Sequence, residues 1–118
     1  MQRDMELFRQ LLFEIEKFPF DGKIRRIAID GYTEQQISYH IMLLHQAGFI
    51  QAFDTSNNDG MFWNAKWLNN SGHEFLDSIK NDTVWEKSKS LVVKNVGALS
   101  LEALKLAVPA VIKTMFPH

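Results

Sequence analysis

YTEQQISYHIMLLHQAGFI (residues 32–50), followed by QAFDTSNNDGMFWNAKWLNNSGHEFL (residues 51–76), is the stretch from which the fold is read. Thr33 and Gln36 have the spacing of a capping box, which predicts a helix start. Ile37, Ile41 and Leu44 then recur at helical spacing and define one buried stripe. The opposite side carries Gln35, Tyr39, Met42 and Gln46, with Gln36 and Leu43 beside them. Gly48 stands where a helix commonly ends in a left-handed residue. Phe49 to Phe53 reads as a strand, and Asp54 to Gly60 as a polar loop closing on Asp-Gly, a hairpin signal. Met61 to Leu68 is the returning strand, with Trp63, Ala65 and Trp67 expected on one face and Phe62, Asn64, Lys66 and Leu68 on the other. Ser71 and Glu74 are a second capping box, opening a helix through Phe75, Leu76 and Ile79.

Upstream, Asp4 is the expected N-cap of a helix whose apolar stripe is Phe8, Leu11, Leu12 and Ile15. Pro19 ends it, because proline disfavours helical geometry in the residue before it and supplies no amide donor. Asp21-Gly22 makes a turn, and Ile27-Ala28-Ile29 is a short third strand closed by Asp30-Gly31. Downstream, Thr83 and Glu86 open another helix after a break near Asn81-Asp82, and Gly97 separates it from a last helix, Ser100 to Phe116. That last helix is apolar on most sides and contains Pro109, which predicts a kink or a shortening.

Helix, strand, helix, ribbon, helix is the order of a winged helix. The expectation is therefore an α+β, winged helix-turn-helix-like fold with a small three-stranded antiparallel sheet, a wing hairpin and extra C-terminal helices. Residues 1–81 form the winged-helix core and residues 82–118 a C-terminal helical extension packed on it, as a single domain overall. The helix that normally precedes the recognition helix has almost no room between Ile29 and Tyr32. It is either reduced to a turn or supplied by Phe20 to Arg26.

Composition bounds the function. The chain has 118 residues, 46% of them hydrophobic and 23% charged, so one folded domain is expected rather than disorder. Thirteen Lys and Arg against 14 Asp and Glu give a formal charge of −1, without the basic excess of a non-specific nucleic-acid binder. From Ile27 to Ala65 there is no Lys or Arg, while Asp30, Glu34, Asp54 and Asp59 are present. Cysteine is absent, which removes disulfides, thiol nucleophiles and thiolate metal sites and is consistent with a reducing cytoplasm. The opening MQRDMELFRQLL carries acidic residues in its apolar pattern and lacks a secretory cleavage site, and no apolar run reaches membrane-spanning length. The expected location is cytoplasmic, with no membrane partner.

The segments HIMLLHQAGFI (residues 40–50) and LNNSGHEFLDSIKNDTVW (residues 68–85) resemble a domain-of-unknown-function family, number twenty-five thirteen, of short phage, prophage and bacterial proteins. The opening Arg3-Asp4-Met5, the pair Ile15-Glu16 and the Ser-Leu-Glu at Ser100 to Glu102 are similar to it too, and GHEFLD joined to NDTVW is the most specific part. The resemblance implies a winged-helix-like fold and frequent phage association. It implies no activity and no functional residue.

Three readings compete for the face of the helix beginning after Thr33. One is base contact, with Gln35, Gln36 and Tyr39 near base edges and Lys23, Arg25, Arg26 and Lys66 anchoring phosphates. Another is a protein-facing patch made of Tyr39, Met42, Leu43 and Gln46. The third is an ordinary solvated face. The basic cluster has its own plain reading, as charges guarding a strand edge, and Lys87, Lys89 and Lys94 read as the exposed side of their helix. Phe49, Phe53, Phe62, Trp63 and Trp67 could stack single-stranded bases, although strand spacing sends half of them into the core. The last helix offers Leu101, Leu104, Val108, Val111 and Ile112 as a homodimer contact or as core. His40 reads as a hydrogen-bonded residue at the core edge, and His73 has no second histidine at zinc-protease spacing. No metal site, cofactor or catalytic set is expected. Two functions follow: a small phage- or prophage-derived regulatory or accessory protein binding DNA weakly or as a dimer, or a module that binds or inhibits a host protein.

Overall fold

The computed structural model describes residues 1–117. Five helices and two strands follow one another as α1 (Met5–Glu16), α2 (Glu34–Gln46), β1 (Ile50–Asp54), β2 (Trp63–Leu68), α3 (Asn70–Ile79), α4 (Asp82–Val96) and α5 (Leu101–Met115). The chain divides into two compact units, Met1–His73 and the residues from Glu74 onward. The class is α+β.

In the first unit, α1 packs on α2 and β2, and α2 packs on both strands. Leu7, Phe8, Leu11, Leu12 and Ile15 of α1 are buried, as are Ile37, Ile41 and Leu44 of α2 and Ile50, Ala52, Ala65 and Leu68 of the ribbon. Each fully buried Leu or Ile contributes about 1.5–3 kcal/mol relative to exposure, so the expected α2 stripe is also the main anchor of that helix. Its start is the expected capping box: Thr33 Oγ1 accepts from Gln36 N–H at 3.1 Å and Gln36 Oε1 accepts from Thr33 N–H at 2.8 Å. Gly48, at φ 83°, turns the chain from α2 into β1.

One polar network joins α1 to α2. Asp4 caps α1 by accepting from Leu7 N–H, and its other carboxylate oxygen accepts from the Tyr32 hydroxyl at 2.8 Å. The Asp4 N–H donates to His40 Nε2 at 2.8 Å, and His40 Nδ1 lies 2.7 Å from the Gln36 carbonyl. These partners assign a neutral imidazole, protonated on Nδ1 and accepting on Nε2. Burial pushes the His40 pKa below its ordinary value, although the Gln36 carbonyl and the Asp4 carboxylate both pull the other way.

The ribbon departs from simple alternation. Gln51 pairs with Trp67 but Ala52 pairs with Ala65, so Lys66 is an extra residue in β2. This β-bulge sends Lys66 and Trp67 outward between the buried Ala65 and Leu68. The expected faces are corrected accordingly: Trp63, Ala65 and Leu68 turn toward the helices, and Asn64, Lys66 and Trp67 turn away.

The sheet has two strands, not three. Ile27-Ala28-Ile29 forms no strand, and what remains of the third is a single bridge between Arg25 and Ala65, with Arg25 N–H donating to the Ala65 carbonyl at 3.1 Å. The edge of β2 is closed before that bridge and irregular after it. The Trp63 N–H is taken by Ser38 Oγ of α2 at 3.2 Å, and the residue after Ala65, Lys66, is the bulged one. Between α1 and α2 there is no helix; the chain reverses in a turn where Tyr32 N–H meets the Ile29 carbonyl at 3.2 Å.

The third helix starts earlier than its expected cap. His73 N–H donates to the Asn69 carbonyl at 3.0 Å, so Ser71 lies inside the first turn of α3. The reason is steric and local. Asn69 N–H reaches the Phe49 carbonyl at 2.8 Å, and Gly72 lets that carbonyl sit against the helix. A Cβ at Gly72 would fall 2.0 Å from the Phe49 oxygen.

In the second unit, α4 and α5 pack together, their axes turning by 119°. Asn81, not Thr83, caps α4 by accepting from Thr83 and Val84 N–H, and the break expected near Asn81-Asp82 is present. Ser100 caps α5, which runs through Pro109 to Met115 without interruption. Among the described residues no single helix is long and apolar enough to cross a membrane.

Two measurements test these contacts. Gly72→Ala should lower the unfolding free energy by about 3 kcal/mol or more in urea denaturation, because backbone rather than a flexible side chain must give way. The His40 site should make stability depend on pH. Its folded pKa lies below the unfolded value of 6.5, so its contribution is complete above pH 6.5 and is lost as the pH falls and only the unfolded chain takes the proton. The slope from this site is at most about 1.4 kcal/mol per pH unit and should vanish in His40→Leu.

Candidate functional site

The surface formed by α2 and the β1–β2 hairpin is built from the capping box outward. Glu34, Gln35 and Gln46 are exposed; Gln36, Tyr39, Met42 and Leu43 are half-buried. The hairpin is fixed against α2 by the Ser38–Trp63 hydrogen bond and by the Trp63 ring, 5.6 Å from His45. His45 Nδ1 lies 3.3 Å from both the Ile50 carbonyl and the Ala52 N–H. It serves one at a time, as donor or as acceptor. At the hairpin tip Asn57 and Gly60 exchange backbone hydrogen bonds of 3.0 and 3.2 Å, and Thr55 N–H donates to the Phe62 carbonyl at 2.8 Å. Asp54, which accepts from Ser56 N–H at 2.9 Å, is held below the usual carboxylate pKa by its hydrogen bonds to Ser56. The negative charge at this end of the ribbon is therefore permanent at neutral pH.

The sequence-based nucleic-acid residues fare unevenly. Gln36 would read adenine through both its amide oxygen and its NH2, but the oxygen is engaged in the capping box. Gln35 projects into solvent, and Tyr39 sets its ring edge-on to His40 at 5.7 Å. Arg25 makes a two-pronged pair with Asp21, with Nη1 to Oδ1 at 2.9 Å, and lies over the Phe18 ring at 5.7 Å. That guanidinium holds the Asp21 carboxyl far below its usual range, and the pair in turn raises the pKa of Arg25.

Arg26 pairs with Glu34 at 3.1 Å and covers the Phe62 ring at 5.7 Å. An exposed pair of this kind is worth about 0–1 kcal/mol, so a phosphate could draw Arg26 away. Doing so would uncover the Glu34 carboxylate on the same surface. Lys66 is on the other side of the ribbon, its ammonium 4.7 Å from the Phe53 ring and 5.8 Å from the Trp67 ring. Lys23 is exposed, and its backbone N–H is bound to Asp21. The four cations expected to anchor one duplex therefore do not form a common surface with α2.

The aromatic residues divide between faces. Phe49 is buried, Phe62 and Trp63 are half-buried on the α2 side, and Phe53 and Trp67 look outward. Phe20, which the sequence offered only as the start of a possible Phe20 to Arg26 helix, joins the outward pair: its ring lies 4.9 Å from Trp67 while the residue is 84% exposed. A lone Phe after a proline carried no periodic signal, so sequence pattern had no means of finding it.

The candidate dimer residues of the last helix lie mostly inside the chain. Leu101, Leu104, Val108 and Val111 are buried within the chain itself, and Ile112 is half-buried. A helix apolar on most sides turns its densest apolar stripe inward first, which leaves Leu106, 79% exposed, as a large apolar residue facing outward from α5. No group of three or more His, Asp or Glu among the described residues is placed to hold a metal ion.

Comparison with known proteins gives the chain a family. The family described as "Hypothetical protein (DUF2513)" matches residues 2–98. A Haemophilus influenzae protein named "Uncharacterized protein" is 35% identical over 116 residues, covering 98% of each chain. No solved structure matches. The chain belongs to the DUF2513 family.

Proposed function

We propose that this chain is a non-enzymatic, winged-helix-like interaction module, a small regulatory or accessory protein of phage or prophage descent, whose α2–hairpin surface docks a protein partner. The observation that carries this reading is electrostatic. Ile27 to Ala65, which includes α2, β1, the hairpin loop and the start of β2, holds four carboxylates and no Lys or Arg, and the one cation of β2, Lys66, is on the other side of the ribbon. The flanking Arg25 and Arg26 are already paired with Asp21 and Glu34. A polyphosphate backbone gains little from such a surface. A protein face bearing Lys or Arg around an apolar centre gains more, since Tyr39, Met42 and Leu43 supply half-buried apolar area with Glu34 earlier in the same helix.

The second reading is weak or dimer-dependent DNA binding. What favours it is the order of helix and ribbon, with Gln35 and Gln46 exposed on the helix. It needs extra cations, which a second copy of the chain would bring.

The two readings separate in one pair of measurements. With random-sequence duplex at about 50 mM salt, no complex should be measurable; tight binding that falls steeply with added salt would favour DNA instead. In a pull-down from host lysate, the native chain should retain a basic partner that the Tyr39→Asp, Met42→Asp double variant loses. Equal recovery by both versions would remove this surface from the docking role.

A further inference from the structure

The outward face of the ribbon differs from the α2 side in both shape and charge. Phe53, Lys66, Trp67 and Phe20 form a continuous row. The Lys66 ammonium touches the first ring at 4.7 Å and the Trp67 ring at 5.8 Å, and Phe20 stands 4.9 Å beyond Trp67. The bulge produces this row, because an unbroken strand would send Lys66 and Trp67 to opposite faces. Phe20 and Phe53 are both exposed, at 84% and 37%. Arg25, bridged to Ala65 on the same strand, and the exposed Lys23 lie alongside in the chain, and the one carboxylate between Phe20 and Lys23, Asp21, is neutralised by Arg25.

We propose that this face binds single-stranded nucleic acid, with bases stacking on Phe20, Trp67 and Phe53 and the backbone phosphates meeting Lys66. Ring faces accept any base, which makes stacking tolerant of sequence. A cation seated amid the rings supplies what stacking lacks, an attraction for the phosphate that links two stacked bases. Moving the Lys66 ammonium from the rings to a phosphate exchanges a weak cation–π contact for a charge-assisted hydrogen bond and uncovers two ring faces together. Duplex DNA cannot use this face, because its bases are already stacked on each other. The site is thus independent of the α2 surface and of the protein-docking reading.

The test is fluorescence anisotropy of a labelled short oligothymidylate titrated with the full chain at about 50 mM salt. The native chain should bind, and affinity should fall with added salt. Phe20→Ala, at a position too exposed to disturb folding, should weaken binding about tenfold. Lys66→Gln should weaken it and lower the salt slope by about one phosphate equivalent. The Tyr39→Asp, Met42→Asp chain should bind like the native one. Absence of binding, binding indifferent to Phe20→Ala and Lys66→Gln, or loss of binding in the α2 double variant each overturns the proposal. So does capture of a proline-rich peptide in place of the oligonucleotide, since aromatic rows also take polyproline helices.

Discussion

The contact between Asp4 and His40 holds the first unit in register. Through one backbone N–H and one imidazole, the N-cap of α1 is joined to the first turns of α2, and the same aspartate receives the Tyr32 hydroxyl from the turn between the two helices. A buried imidazole with a donor on one side and an acceptor on the other admits one tautomer and one orientation. That orientation agrees with the rotation of α2 about its axis that the apolar stripe Ile37, Ile41 and Leu44 requires in order to point inward. The turn carries the chain across to α2 with one backbone hydrogen bond and one tyrosine.

The hairpin inherits its position from α2 and its asymmetry from a single extra residue. Ser38 and His45 hold Trp63 and the start of β2 against the helix. The bulge at Lys66 then shifts the in-out alternation of the strand, so that Leu68 is buried and Lys66 and Trp67 stand out. Where the ribbon ends, Gly72 lets α3 begin directly on the Phe49 carbonyl. This gives a physical reason for the glycine in the GHEFLD segment, which a sequence comparison alone reads only as a matching letter.

Charge distribution separates the two sides of the ribbon. On the α2 side the carboxylates outnumber the cations, and Arg26 lies within an ion pair. On the outer side an ammonium rests on aromatic faces. A net charge of −1 conceals this division, because opposite local excesses cancel in the sum. Counting Lys23, Arg25, Arg26 and Lys66 as one basic set was the natural reading of a linear chain. The structure separates them: two meet carboxylates four and eight residues away, and a third lies on the face of the ribbon turned away from α2.

The sequence by itself determined the helices, the hairpin and the inward stripe of α2. Caps, glycine stops and apolar spacing are local, and each acts within a few residues of where it is written. Asp4 and Thr33 cap the helices they were expected to cap. Only the tertiary structure decided how many strands pair, where the ribbon slips, which side Lys66 and Phe20 share, and that the apolar stripe of α5 is inside. Those outcomes depend on groups far apart in the chain competing for one partner, as Ser38 does for the edge of β2 and Phe49 for the first turn of α3. No window of sequence contains both competitors.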